Sequence, residues 1–215
     1  MNDTCPPNPH PASYPTDCEV LAAMREKAGS RSAGRAYDPR LLARAAQIRL
    51  LLLDVDGVLT DGRLLYAADG SEGKFFHTQD GFGLRLLREL GIDTGVITAR
   101  ESAMVARRAQ ELAMRFVYQK ARQKLDAYRQ ILAESGLKPV QVAYMGDDWL
   151  DLPLLTQVGL AIAPANAAPE VVEIAHYQTP HAGGHGAVRD ACDLLVAASG
   201  QLAVLLQKYK NAARL

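Results

Sequence analysis

The amino-acid sequence predicts a doubly wound α/β fold, in which helices cover both faces of a parallel β-sheet. Two observations support this prediction. From Ile48 onward, apolar runs of strand length alternate with amphipathic segments of helix length, the pattern of a parallel sheet buried on both sides. In addition, 215 residues are enough for one well-packed domain with accessory segments and few for two full domains, so we expect one core.

Six apolar runs are the predicted strands. In chain order they are IRLLLLDV (48–55), DTGVIT (93–98), RFVY (115–118), VQVAYMGD (140–147), LAIA (160–163) and HYQT (176–179). Between them, apolar residues recur at helical spacing, as Leu84, Leu87 and Leu90 illustrate. The predicted helices there are GLRLLREL (83–90), ESAMVARRAQEL (101–112) and QKLDAYRQILAE (123–134).

One segment breaks the alternation. After the first strand, GRLLYAADGSEGKFFHTQDG (62–81) is typical of a β-hairpin, with Asp69 and Gly70 expected as the positive-φ turn residues. The intervals between the other strands are too short for a separate cap domain. We therefore expect a hairpin flap and no large cap domain.

The chain is predicted to have three parts. Residues 1–37 form an N-terminal extension that we expect to be largely disordered, because its first 18 residues are rich in Pro, Asn, Ser and Asp; a short helix is expected over 19–28. Asp38 and Pro39 predict a helix N-cap and first helical position, where the folded domain (38–200) begins. Residues 201–215 are a C-terminal tail, predicted to be a lid or an oligomer contact.

Composition excludes several classes of partner. Lys plus Arg equals Asp plus Glu at 24 each, so no basic excess is available for nucleic acid or an anionic membrane surface. Cys5, Cys18 and Cys192 have neither metal-binding nor disulfide-framework spacing, which favours free thiols in a reducing compartment. The first residues lack a signal peptide's charged and apolar regions, and we expect a cytoplasmic protein.

Acidic residues follow two of the predicted strands. Asp54 and Asp56 end the first strand, and GDDWLD (146–151) follows VAYM (142–145). In an open α/β sheet, ligands bind at the carboxyl ends of the strands, so these carboxylates are expected to converge. Their mutual repulsion requires a cation, and a few carboxylates beside a phosphate suit Mg²⁺ better than Ca²⁺. Taken alone, the second cluster would be an ordinary helix N-cap.

Two further residues are expected in the same crevice. Thr98 ends the strand GVIT, with Ala99 and Arg100 expected to open the next helix, where free amides suit an anion. Lys124 begins the helix after FVY and supplies a positive charge. Phosphate-ester hydrolysis needs a carboxylate nucleophile, a second carboxyl group for proton transfer, and cationic groups that stabilise the charge on the equatorial phosphoryl oxygens.

These residues resemble the four motifs of haloacid dehalogenase (HAD) superfamily phosphatases. The matching motifs are DVDGVLTDG (54–62), Thr98 in VITAR, Lys124 and GDDWLD. Within the superfamily, the chain is most similar to the 3-deoxy-D-manno-octulosonate 8-phosphate (KDO 8-phosphate) phosphatases of lipopolysaccharide precursor synthesis. The capless layout, the hairpin leading into FHTQDGFG (76–83) and the loop AGGHGAVRDACDLL (182–195) carry this likeness. It implies a HAD-like, Rossmann-type sheet.

The resemblance also implies roles for individual residues. Asp54 is the expected nucleophile and Asp56 the general acid and base, while Thr98 and Lys124 hold the transferring phosphoryl group. Magnesium ligation is expected from Asp54, the Asp56 carbonyl and Asp147. Asp148 and Asp151 are the supporting carboxylates.

The expected substrate is a small sugar-acid phosphate. Arg100 occupies a position where the eight-carbon branch tends to carry arginine and the nine-carbon branch glutamate, which favours KDO 8-phosphate. Arg108 and Arg189 are further candidates for contacting the substrate carboxylate or phosphate; a solvated surface role is the alternative for all three arginines. The resemblance implies a homotetramer in which one subunit's hairpin helps to close another's site.

Other functions remain open at this point. A nine-carbon sugar-acid phosphatase is the nearest alternative. A receiver-like phospho-accepting module also combines acidic residues, a Thr and a Lys around magnesium, although Asp56 as a proton shuttle favours hydrolysis. A catalytically silent scaffold is the third alternative.

Overall fold

The computed structural model describes residues 37–212, and within them the main sheet has six parallel strands in the order β5-β4-β1-β6-β7-β8. The strands are β1 (Leu50–Leu53), β4 (Asp93–Ile97), β5 (Phe116–Tyr118), β6 (Val142–Met145), β7 (Leu160–Ala163) and β8 (Tyr177–Gln178), with β2 (Leu65–Tyr66) and β3 (Glu72–Gly73) forming the hairpin. The predicted strands and hairpin are confirmed. The helix expected over 19–28 and most of the N-terminal extension lie outside the described residues.

The helices in this part of the chain lie before, between and after the strands. They are α1 (Pro39–Ala45), α2 (Thr78–Glu89), α3 (Ala103–Glu111), α4 (Lys124–Ser135), α5 (Leu152–Leu155), α6 (Pro169–Ile174), α7 (Ala187–Ala198) and α8 (Leu202–Ala212), with 3-10 turns at Pro139–Gln141 and Trp149–Asp151. As predicted, Asp38 caps α1 by accepting hydrogen bonds from the amides of Arg40 (2.7 Å) and Leu41 (3.3 Å), and Pro39 takes the first helical position.

The central strand β1 is buried on both faces, which explains its run of leucines. Leu51 and Leu53 pack into the core with α1, α2, α3, α7 and α8, and Leu50 and Leu52 pack into the core with α4, α5 and α6. Alternate side chains of a strand point to opposite faces, so an unbroken apolar run supplies both cores. This arrangement confirms the doubly wound fold.

The hairpin turn differs from the predicted one. Gly70 has a positive φ of 82°, but Asp69 does not belong to the positive-φ residues of the described chain. The Gly70 amide donates to the Ala67 carbonyl (2.9 Å) and the Ala67 amide to the Ser71 carbonyl (2.9 Å). The hairpin therefore closes through a three-residue loop with a left-handed glycine, and the prediction of a positive φ is confirmed for Gly70 and wrong for Asp69. The Asp69 carboxylate instead accepts from the Ser71 amide at 2.9 Å.

The C-terminal segment forms α8, which packs against α2. The Tyr209 ring meets the Phe82 ring edge-on at 5.2 Å, and Lys208 and Tyr209 both bond to Glu89. Across residues 37–212, no single helix has the length and apolar character needed to cross a membrane; α7 and α8 meet both criteria only when they are joined across their 110° bend.

The order of strands places a crevice beside β1. The chain runs from β1 outward through β4 to β5 and then returns to β6 on the other side of β1. The chain therefore leaves β1 toward one side of the sheet and β6 toward the other, and the carboxyl ends of β1 and β6 border the crevice between them. The acidic motifs predicted to bind a ligand end β1 and β6.

Candidate active site

Asp54 and Asp147 extend from the tips of neighbouring strands. Leu53 of β1 is in register with Met145 of β6, and the Asp54 amide donates to the Met145 carbonyl at 2.9 Å. The parallel register continues just past the strand ends. It brings the first acidic motif beside the second, as the strand order requires.

Lys124 is a buried ammonium between two carboxylates. Its Nζ lies 2.9 Å from Asp54 Oδ2 and 2.6 Å from Asp151 Oδ1. The Tyr144 hydroxyl lies 3.2 Å from the same Nζ and donates to Asp151 Oδ1 at 2.5 Å. Burial opposes the charge, but Asp54 and Asp151 raise the pKa of Lys124 above its ordinary value. The ammonium is therefore held charged beside Asp54.

Asp54, Asp147 and Asp151 form the acidic cluster, with carboxylate oxygens all within 4.8 Å of one another. Burial raises the pKa of Asp54 to about 6, with Lys124 opposing and Asp151 adding to the rise. Burial, then Asp54 and Asp151, raise the pKa of Asp147 to about 7. One ammonium does not offset three clustered carboxylates, and this excess of negative charge suits a divalent cation.

The donor chemistry fits Mg²⁺, with Asp54 and Asp147 as the available ligands. Asp151 Oδ1 accepts from Lys124 and Tyr144, and its Oδ2 accepts from the amides of Asp147 (3.0 Å) and Asp148 (3.3 Å). A carboxylate has about four acceptor positions, so those of Asp151 are already used. Two carboxylates with room for waters and a phosphate match the preference of Mg²⁺.

Gly57 is required beside this cluster. It has φ +90°, which disfavours a side chain, and a Cβ at this position would overlap the Asp147 carboxylate. The carbonyl of Gly57 accepts from Asn166 Nδ2 at 3.1 Å, and Asn166 Oδ1 accepts from the Gly183 amide at 2.7 Å. Asn166, which was missed in the sequence, therefore ties the loop after β7 and the late glycine loop to the Asp54 loop.

Asp56 contacts two cations. The ammonium of Lys74 is paired with Asp56 Oδ1, and Arg100 Nε lies 3.7 Å from Asp56 Oδ2. Lys74 directly follows β3 and was also missed, because a lone lysine after a hairpin carries no recognisable motif. Neither carboxylate oxygen of Asp56 belongs to the acidic cluster of the described chain.

Thr98 lies at the end of β4, buried, as the sequence predicts. Its hydroxyl accepts from the Arg100 amide at 3.4 Å. The prediction that Ala99 and Arg100 open the next helix is wrong, since α3 begins at Ala103. Ser102 is extended (φ −153°) and donates its amide to Gln119 Oε1 at 2.7 Å, which delays the helix.

Three predicted residues are held by other partners in this chain. The exposed Asp148 accepts from the Trp149 amide at 2.8 Å and caps a 3-10 turn. Arg108 pairs with Glu111 at 3.4 Å and lies over the Phe76 ring, where it lines a recess of about 290 Å³ that also includes Lys74. Arg189 Nε donates to Asp193 at 2.7 Å.

Comparison with known proteins identifies the fold family. The sequence model of haloacid dehalogenase-like hydrolases matches residues 100–190. The chain is 44% identical to the 3-deoxy-D-manno-octulosonate 8-phosphate phosphatase KdsC of Yersinia pestis over 162 residues, 75% of this chain and 87% of that protein. It is 42% identical to the KdsC of Escherichia coli strain K12 over 179 residues, 82% and 95% of the two chains.

Solved structures show the same relationship. The crystal structure of 3-deoxy-D-manno-octulosonate 8-phosphate phosphatase from Moraxella catarrhalis, in complex with magnesium, phosphate and KDO, superposes with a TM-score of 0.79 at 35% identity. The match covers 80% of this chain and 99% of that one. The Yersinia pestis enzyme gives a TM-score of 0.76 at 44% identity, over 77% and 89% of the two chains. The chain therefore belongs to the KDO 8-phosphate phosphatase family of haloacid dehalogenase-like hydrolases.

Proposed function

We propose that this protein is a magnesium-dependent phosphatase that hydrolyses KDO 8-phosphate to KDO and phosphate through an aspartyl-phosphate. The observation that carries the proposal is the meeting of Asp54, Asp147 and Lys124 at two neighbouring strand tips, in a chain 42–44% identical to phosphatases of this name. A strongly held ammonium beside a carboxylate nucleophile is suited to phosphoryl transfer.

In the first step, an oxygen of Asp54 attacks phosphorus while the bond between phosphorus and the sugar oxygen breaks. Lys124, 2.9 Å from Asp54 Oδ2, is placed to balance charge on the phosphoryl oxygens as they approach. The Thr98 hydroxyl is the second group proposed to hold them. Asp151 and Tyr144 keep the ammonium in position.

Asp56 is the proposed proton shuttle. It protonates the departing sugar oxygen and then, as a carboxylate, removes a proton from the water that attacks the aspartyl-phosphate. Asp54, the Asp56 carbonyl and Asp147 are the proposed magnesium ligands. Bound Mg²⁺ would supply positive charge that neutralises the clustered carboxylates and the phosphate.

Substrate recognition is proposed to involve Arg100, which is half-exposed beside Asp56. Arg108 lines the recess that includes Lys74 and is proposed to contact the substrate carboxylate. Arg189 stays a candidate from the sequence, although its guanidinium is engaged by Asp193 and Phe82. The names of the relatives favour the eight-carbon over the nine-carbon substrate, and a phosphatase over a receiver module or a silent scaffold.

The test is phosphate release from KDO 8-phosphate and, side by side, from a nine-carbon sugar-acid 9-phosphate. We expect multiple turnovers, a higher kcat/KM for the eight-carbon substrate and loss of activity after thorough chelation. Asp54→Asn should abolish turnover, whereas Asp126→Asn, an exposed carboxylate paired with Arg129 on α4, should not. Full activity of Asp54→Asn, or of the metal-free enzyme, would contradict the mechanism.

We further propose a homotetramer that acts in the cytoplasm. The hairpin region exposes Leu64, Leu65, Tyr66 and Phe75, and such apolar surface is typical of an interface. Sedimentation equilibrium on the full chain checks the oligomer. A monomer at micromolar concentration would argue against it.

A further inference from the structure

Each carboxylate oxygen of Asp56 faces a cation that either follows the hairpin (residues 65–73) in the chain or contacts it. Lys74 follows the hairpin directly, and its ammonium pairs with Asp56 Oδ1. Arg100 lies beside Asp56 Oδ2. The segments that carry Asp56 and Lys74 are 18 residues apart in the chain, so the contact exists only when the hairpin is seated.

The Lys74 side chain is only 3% exposed, which makes its pairing with Asp56 more than a surface contact. A buried ammonium is costly unless it meets an opposite charge, and removing one partner of such a pair leaves the other uncompensated. Lys74 and Asp56 therefore restrict each other's rotamers. A solvated lysine on a flexible hairpin would not impose this restriction.

Arg100 connects the same carboxylate to the hairpin a second time. Its Nη2 donates to the Tyr66 hydroxyl at 3.1 Å and lies 3.6 Å from Glu72 Oε1, and both residues belong to the hairpin. Its Nε is 3.7 Å from Asp56 Oδ2, beyond hydrogen-bond distance. Oδ1 of Asp56 is thus occupied by Lys74, whereas Oδ2 is not blocked by a hydrogen bond from Arg100.

We propose that Lys74 is a positioning residue: by occupying Oδ1 of Asp56, it presents Oδ2 to the leaving oxygen and couples the seating of the hairpin to the first chemical step. This inference rests on the proposed function. In that step, the bond from Asp54 to phosphorus forms as the bond from phosphorus to the sugar oxygen breaks. The electron pair stays on the sugar oxygen, which takes the proton from Asp56 Oδ2.

The experiment compares Lys74→Met with the wild-type full chain on two substrates. The sugar-acid phosphate has a basic leaving group that needs a proton, whereas 4-nitrophenyl phosphate releases a weakly basic phenolate that does not. The quantity compared is kcat/KM, because it reports the step in which the leaving group departs and not the later hydrolysis of the aspartyl-phosphate. Lys208→Met is the matched control: it removes an ammonium of the C-terminal helix α8 that pairs with Glu89 on α2.

We expect Lys74→Met to lower kcat/KM for the sugar-acid phosphate by about 10- to 100-fold, since general acid catalysis contributes about 10²- to 10⁴-fold and depends on geometry. For 4-nitrophenyl phosphate the loss should be less than about threefold, and Lys208→Met should match wild type on both. In an Asp56→Asn background, adding Lys74→Met should change kcat/KM for the sugar-acid phosphate by less than about twofold, because Lys74 acts through Asp56.

Any of three results would overturn the proposal. These are equal losses of kcat/KM on the two substrates, no loss on the sugar-acid phosphate, or a full additional loss in the Asp56→Asn background. If Lys74→Met does not fold, the same comparisons with Lys74→Gln decide the question. A wild-type enzyme inactive on both substrates would instead refute the proposed function itself. If Asp56→Asn loses activity equally on both substrates, the acid role of Asp56 fails, and this proposal fails with it.

Discussion

Replacing Asp147 by asparagine should make the metal-free protein more stable while it weakens magnesium binding. Asp147 is one of three clustered carboxylates served by the single ammonium of Lys124. The cluster and its burial raise the pKa of Asp147 from 3.8 to about 7. The charged carboxylate is therefore disfavoured in the folded state, and an uncharged amide of similar shape removes that penalty.

The magnitude follows from the pKa. A rise of about three units in the pKa of Asp147 corresponds, above pH 7, to a loss of at most about 4 kcal/mol in the free energy of unfolding of wild type. Solvent screening of this partly exposed side chain reduces the loss to about 1–2 kcal/mol. Because the folded pKa lies above the unfolded value, wild type loses this stability as the pH rises from about 4 to about 7. Asp147→Asn escapes that loss, so its advantage should be larger at pH 8 than at pH 5.

Thermal unfolding in the presence of a chelator measures the effect. At pH 8, we expect the Tm of Asp147→Asn to exceed that of wild type by about 2–8 °C, taking about 2–4 °C per kcal/mol for a domain of this size. Added Mg²⁺ should raise the Tm of wild type and should raise that of the variant much less. Asp148→Asn is the matched control, because the neighbouring Asp148 lies outside the cluster and asparagine also caps helices well. Its response to Mg²⁺ should equal that of wild type.

Three outcomes would contradict this reasoning. If metal-free Asp147→Asn is less stable than wild type at pH 8, the carboxylate is not under electrostatic strain. If Mg²⁺ stabilises wild type and Asp147→Asn equally, Asp147 is not a ligand. A gain that is the same at pH 5 and pH 8 would point to packing and not to charge.

Two other substitutions test the architecture of the site. Gly57→Ala places a side chain at φ +90° and against the Asp147 carboxylate. We expect a loss of about 1–2 kcal/mol in the free energy of unfolding and weaker Mg²⁺ binding in calorimetric titration. A wild-type affinity for Mg²⁺ would show that the carboxylate moves aside without cost. Tyr144→Phe removes the hydroxyl that donates to Asp151 and accepts from Lys124. We expect about 1–3 kcal/mol of destabilisation in urea unfolding and a kcat lowered by less than about tenfold, because Lys124 keeps both carboxylate partners. A loss of kcat as large as that of Lys124→Met would contradict this account.

Local chemistry made much of the fold and part of the site predictable. The run from Leu50 to Leu53 is apolar at every position because both faces of β1 are buried, and this property can be read from residue type alone. Polar residues that directly follow such a run lie at the carboxyl edge of the sheet in any doubly wound fold. Asp54, Thr98 and Asp147 could be placed there for that reason.

Turn and helix boundaries were less predictable, since they depend on contacts that residue type does not reveal. Asp69 and Gly70 were both expected to have a positive φ, but the backbone closes over three residues and Asp69 does not have one. Similarly, α3 starts at Ala103 and not at Ala99, because Gln119 binds the amide of Ser102. Each difference comes from hydrogen bonds between residues that a strand-and-helix pattern does not connect.

The positions of the strands along the chain, the buried leucines and the acidic strand ends were thus encoded in short-range patterns, which determine which face or edge a residue occupies. The partners of the functional groups were decided by folding. Lys74 reaches Asp56 across 18 residues, Lys124 reaches Asp151 across 27, and Asn166 reaches Gly57 across 109. Such contacts depend on how helices and loops come together in three dimensions, and neither the periodicity nor the composition of the chain specifies those distances.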